Sequence, residues 1–141
     1  SAPWDGLGVQ FNYSYVDSKF SAGTDAYDSG EYGLPGASPN NLNAILYFET
    51  ERFGARLSYV YRDDYFSSFG GGAFSGVDRY VQANENLSIN LSYDFTDNVS
   101  MTAKATNLTG DIQREFVTYD TLTQSYYTRP KTYSIGLRMR F

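Results

Sequence analysis

Cysteine and histidine are both absent from this 141-residue sequence. Their absence excludes a disulfide scaffold, a thiolate nucleophile, a Cys/His zinc site and a histidine general base. Basic residues are few. Eleven Lys and Arg stand against sixteen Asp and Glu, a net charge of −5, so a protein that wraps nucleic acid with a basic face is disfavoured. No run of eighteen apolar residues occurs, which excludes a transmembrane helix but not a membrane β-barrel. Ser1-Ala2-Pro3-Trp4 offers neither a basic n-region nor an apolar h-region, so no signal peptide is expected in this chain. What the sequence has in plenty is aromatic residues: 14 Tyr, 10 Phe and 1 Trp. Disordered segments are poor in these, and the length suits one domain.

The informative signal has period two. Six stretches alternate, each with one apolar or aromatic parity class. In order, these classes are Val9, Phe11, Tyr13, Tyr15; Leu42, Ala44, Leu46, Phe48; Phe53, Ala55, Leu57, Tyr59, Tyr61; Leu87, Ile89, Leu91, Tyr93, Phe95; Val99, Met101, Ala103, Ala105; and Tyr133, Ile135, Leu137, Met139, Phe141. None of these positions is charged. The opposite parity carries Glu49, Arg56, Arg62, Asp94, Lys104, Arg138 and Arg140. A strictly apolar face backed by a polar one predicts antiparallel strands, and no helical periodicity competes.

The connections alternate as well. Thr50-Glu51-Arg52 and Thr96-Asp97-Asn98 are short polar turns, whereas 17 to 39, 63 to about 84 and 107 to about 130 are long. Short turns at one end and long loops at the other describe a bacterial outer-membrane barrel, with the short turns in the periplasm. Phe48, Phe53, Phe95 and Phe141 fall on the apolar face at the short-turn ends, as one aromatic girdle would. Tyr15, Tyr59, Tyr61 and Tyr133 are available for the other girdle. A soluble β-sandwich also alternates and is the competing architecture. Six strands are too few to close a membrane barrel, so the chain is expected to be a piece of a larger one. Glu115 to Thr128 reads as a hairpin that carries strands five and six beyond the membrane.

The run Leu34 to Asn43, then Tyr47-Phe48-Glu49, then Phe53 to Tyr65 resembles the late barrel strands of TonB-dependent outer-membrane receptors. So do Leu87 to Tyr93, Ala105-Thr106-Asn107-Leu108-Thr109, the ending Arg129 to Phe141, and Gly8 to Ser18. The resemblance implies an all-β fold: residues 1–141 would be the C-terminal, antiparallel, six-stranded segment of a transmembrane β-barrel of about 22 strands with a plugged lumen. It further implies an active transporter or receptor for a scarce solute (siderophore, vitamin or oligosaccharide) in the bacterial outer membrane. Its partners would be membrane lipid, the rest of the barrel, a plug domain outside this chain, the barrel-assembly machinery, and the TonB machinery acting through an N-terminal part. A small porin or adhesin barrel is the nearest alternative, and a β-sandwich binding module a further one.

Candidate sites follow from the same pattern. Tyr133, Ile135, Leu137, Met139 and Phe141 resemble the C-terminal signal read by the assembly machinery, since an apolar-faced edge strand can be captured by strand addition. Arg56, Arg62, Lys104, Arg138 and Arg140 are expected to face the lumen, where they would pair with acids or water, or contact an acidic plug or anionic solute. Tyr27, Tyr32, Phe66, Phe69 and Phe74 lie in long loops and are candidates for stacking on a ligand or on one another. Asp25, Asp28, Glu31, Asp63 and Asp64 match no calcium-loop template, and no metal or cofactor is expected. Scattered carboxylates form no acid/base pair, so no catalysis is expected.

Overall fold

The computed structural model describes residues 5–21, 31–69, 78–117 and 119–141, and among them every regular element is a β-strand. In chain order these are β1 (Leu7–Tyr15), β2 (Phe20–Ser21), β3 (Glu31–Tyr32), β4 (Asn40–Glu49), β5 (Phe53–Arg62), β6 (Tyr65–Ser68), β7 (Arg79–Val81), β8 (Asn84–Thr96), β9 (Val99–Thr106), β10 (Ile112–Val117), β11 (Tyr119–Thr128) and β12 (Thr132–Met139). The six long strands pair in the order β1-β4-β5-β8-β9-β12, each antiparallel to the next. This is the six-strand segment the alternation predicts. β5 and β9 occupy the expected residues, and β8 starts three residues earlier than expected, at Asn84.

Register decides whether the six apolar stripes become one face, because a slip of one residue would send a stripe to the other side. They stay aligned. Val9 pairs with Leu46, Leu46 with Leu57, Leu57 with Ile89, Ile89 with Ala105, and Ala105 with Tyr133. The row beside it runs Phe48, Ala55, Leu91, Ala103, Ile135. On the reverse face Gly8, Tyr47, Arg56, Asn90, Lys104 and Ser134 form one row. Gly8 has a local reason to be glycine. A Cβ there would collide with the Tyr47 ring, which leans across the neighbouring strand. Gly6 has another: its φ is 96°, and its carbonyl accepts a 2.8 Å hydrogen bond from the Glu49 N–H where β1 begins.

The long connections are less irregular than their composition suggests. β6, β7, β10 and β11 form a second sheet in the order β11-β10-β7-β6. Its members continue β12, β9, β8 and β5 in the same neighbour order, so the hairpins extend the wall past the six-stranded sheet. The expected projecting hairpin at 115–128 is therefore present as β10 and β11, and the 63–84 connection, read from sequence as a loop, contains β6 and β7. β2 and β3 pair separately.

At the opposite end the connections are short. The row Glu49–Gly54 closes the β4–β5 hairpin and continues to Ser92, whereas β8 runs on to Thr96 before its own turn. Two turns that end at different rows but must lie at one membrane surface require strands inclined to that surface, as barrel strands are. A bulge between Asp94 and Thr96 adjusts this end, and Phe95 there stacks edge-on against Tyr93 at 5.0 Å.

The six-stranded sheet buries almost nothing. Ile135 is 80% exposed, and Val9, Phe11, Leu46, Leu57, Met101 and Leu137 are exposed as well. A β-sandwich requires a second layer over this face, and none covers it among the described residues. β1 and β12 end the pairing order without meeting, so the barrel is not closed within this segment.

Candidate functional site

Three surfaces carry whatever this sheet does: the apolar face, the polar face and the rim at the long-connection end. On the apolar face three tyrosines toward the rim turn their hydroxyls to polar partners. Tyr13 donates to Asn40 Oδ1 at 2.7 Å, Tyr59 to Glu85 Oε2 at 2.7 Å and Tyr61 to Asp63 Oδ1 at 3.1 Å. A ring in an apolar band with its hydroxyl at a polar boundary is the arrangement of an aromatic belt. Of the expected Tyr15, Tyr59, Tyr61 and Tyr133, Tyr59 and Tyr61 make such bonds together with Tyr13, while Tyr15 and Tyr133 are exposed. At the other end Phe48 and Phe53 face each other across the β4–β5 turn with centroids 6.3 Å apart.

The polar face is graded. Gln10, Ser58 and Ser88, with Asn12, Asn43 and Asn86 in the next row, give its middle an uncharged lining. Arg56 and Lys104 lie nearer the short turns, in one row with Asn90 between them. Arg138 and Arg140 reach the short-turn edge, where with Glu51, Arg52, Asp94 and Asp97 they line a polar cavity of about 400 Å³. Among the described residues, Arg56, Lys104, Arg138 and Arg140 form no ion pair within 4.0 Å. Arg62 is separate. It sits at the rim, donates to the Gly36 carbonyl at 2.5 Å and lies 4.1 Å from the centre of the Tyr65 ring. Of the five expected lumen cations, it alone is held by the connection above.

Two hydrogen-bonded corners build the rim. In the first, Asp63 accepts from Asn40 Nδ2 at 2.6 Å and from Tyr61, and its own carbonyl accepts from Ser38 Oγ at 2.8 Å. These bonds tie β4, β5 and the segment before β4. The Asn40 amide, more than the Tyr61 hydroxyl, holds the Asp63 carboxyl below the usual carboxylate range. In the second corner Asn107, 5% exposed and at φ 56°, donates to the Arg129 carbonyl at 2.6 Å. Beside it Thr109 Oγ1 donates to the Glu85 carbonyl at 3.1 Å, and the Glu85 N–H donates to Asp111 at 2.8 Å. Sequence reasoning missed these corners. Their signal was the Ser38-Pro39-Asn40-Asn41 and Asn107-Leu108-Thr109 runs, whose Asn and Ser side chains bond readily to nearby backbone.

The loop aromatics that fall within the described residues come together. Tyr32, Phe66 and Phe69 have centroids 4.7 to 5.2 Å apart, and Phe66 meets Tyr80, which stacks on Phe116. Phe66 is 4% exposed and Val81 3%. These are the most buried hydrophobic side chains among the described residues, and Phe66 has no free face for a ligand. Tyr27 and Phe74 lie outside the described residues. Tyr133, Ile135, Leu137 and Met139 line the exposed outer strand β12, with Phe141 just beyond it.

The family profile described as "TonB dependent receptor-like, beta-barrel" matches residues 1–108 of the 141. The chain belongs to that family. No curated protein and no solved structure matches it. As part of a TonB-dependent receptor barrel, the sheet belongs to an outer-membrane receptor or transporter. In barrel walls of this kind an apolar strand face meets lipid and a polar one the lumen. The matched span includes β1 to β9, and β12 extends the same rows by one strand.

Proposed function

We propose that the chain is the C-terminal part of a receptor barrel of about 22 strands that takes up a scarce solute against its gradient, energised through TonB. The solute would be a siderophore, a vitamin or an oligosaccharide. A plug domain elsewhere in the protein would fill the lumen, membrane lipid would surround the barrel, and the assembly machinery would read Tyr133 to Phe141. The observation that carries this reading is the unclosed six-stranded sheet whose lipid face stays in register, joined to a family match over most of its length. An open edge leaves backbone groups unpaired in hydrocarbon, so further strands are needed to close the wall. Uptake also needs a gate moved by an energy source, which a wall of strands does not supply. No hydrolytic activity accompanies the transport, because no carboxylate pair suited to acid/base work is apparent in the sequence.

Expression of the complete reading frame in cells with and without the TonB machinery tests the proposal. Selective uptake of one solute among siderophores, cobalamin and oligosaccharides, lost when the machinery is removed, is the expected result. Unselective diffusion independent of the machinery would replace this reading with a porin.

A further inference from the structure

We infer that the free edge of β11 from Ser125 to Thr128 is a strand-pairing surface outside the membrane. Its occupant is a strand of the same protein, the outward continuation of the one that closes the barrel against β12. This rests on the receptor reading above, which supplies the closing strand, and it carries the seam of the barrel beyond the lipid.

The two edges of the second sheet differ. At one end of the pairing order, β6 has only four residues, and the Phe66 carbonyl accepts a 2.8 Å hydrogen bond from the Gly36 N–H. The chain thus meets that edge with its own turn. At the other end β11 has ten residues, and among the described residues it pairs with β10 alone. Edges that stay bare in water are usually blunted by shortness, proline, lysine or a bulge, because their open N–H and C=O rows invite another strand. Ser125-Tyr126-Tyr127-Thr128 has none of these devices. Its register against β10 is regular, from Glu115 opposite Ser125 to Ile112 opposite Thr128, and shifts only beyond Ser125. Tyrosine and threonine suit a paired strand. Tyr126 is 70% and Tyr127 58% exposed. As neighbours in a strand they point to opposite faces, so each can take a cross-strand partner from the missing side.

Continuity selects the occupant. β11, β10 and β7 follow the neighbour order of β12, β9 and β8. Only Arg129-Pro130-Lys131 separates β11 from β12, and there the Asn107 amide donates to the Arg129 carbonyl at 2.6 Å. The same neighbour therefore holds the chain through the break. A strand paired with the outer edge of β12 reaches the rim beside Thr132, and about 23 Å of further extended chain brings it level with Ser125. Paired on both sides, the β10–β11 hairpin is a standing part of the wall around the mouth, not a loop free to fold over the solute.

Two measurements on the complete receptor in lipid nanodiscs test this. In hydrogen exchange read at single residues, all four amides from Ser125 to Thr128 should be slow. An alternating pattern, with every second amide exchanging at its intrinsic rate, would overturn the inference. The occupant is identified by a photo-reactive phenylalanine in place of Ser134, which marks the strand closing against β12, and, separately, in place of Tyr127. Heat-modifiable mobility establishes that each variant is folded. The two cross-linked peptides should be contiguous in the sequence of one polypeptide. A Tyr127-site cross-link to a second copy, to another protein or to β10 alone would overturn the inference. If the Ser134 site captures no barrel strand, the receptor reading fails, and the extended seam falls with it.

Discussion

Asn107 shows how much one polar side chain can fix. Its backbone takes a left-handed conformation that most side chains resist, and its amide holds the Arg129 carbonyl, joining the start of the β9–β10 connection to the end of β11. Asn107→Ala loses both the tolerance for positive φ and the donor, at a cost of about 1 to 3 kcal/mol. Asn107→Gly keeps the backbone freedom and loses only the donor, so it should lie between Ala and the native residue in a denaturant titration of the barrel in lipid. At the other corner Asp63 titrates. Its folded value lies below its unfolded one because Asn40 and Tyr61 donate to the carboxylate. The corner is therefore fully stabilised above the unfolded value, near pH 4, and loosens as pH falls through the folded value. Amide exchange at Asn40 and Asp63 should accelerate on acidification below about pH 4 beyond the change in intrinsic rate. Asp63→Asn should abolish that additional acceleration.

Among the strands, the lipid and lumen faces predict unequal tolerance to charge. Leu91 lies in the row of Ala55 and Ala103 on the apolar face, and Asn90 beside it lies on the polar face. Leu91→Arg should cost about 2 to 4 kcal/mol in lipid if it sits near the midplane, and Asn90→Arg far less. Equal costs would remove the face assignment. These strands were legible because membrane strands write their environment into every second residue: Leu57 and Arg56 are adjacent and opposite in character. β6 and β7 were not. Outside the membrane the alternation relaxes, and their partners are set by Phe66, Tyr80 and Phe116 packing across strands distant in sequence. The rim corners escaped for a related reason, since Asn40 and Asp63 meet only after β4 and β5 have paired. Arg62 carries the parity of a lumen residue, yet the carbonyl of Gly36 lies close enough to claim it.

For the whole molecule, the same sheet would be unstable in water and stable in a membrane. Large apolar residues such as Val9, Phe11, Leu57 and Ile135 are exposed on it, and the most buried large apolar side chains among the described residues, Phe66 and Val81, lie in the second sheet beyond it. On the proposed reading, burial in lipid would supply for Leu46, Leu57, Ile135 and Leu137 what a second layer would supply in a soluble fold. The central claim is thus a division of faces, and the cysteine-free segment is well suited to testing it. Single cysteines placed in the complete receptor at Leu46, Leu57, Leu91, Met101 and Leu137, and at Ser58, Asn90 and Thr102, can be labelled in native membranes. The first set should react with a lipid-soluble maleimide and resist a water-soluble one, while the second set should be shielded from the lipid-soluble reagent. Equal labelling of both sets by the water-soluble reagent would contradict the assignment of one face to lipid.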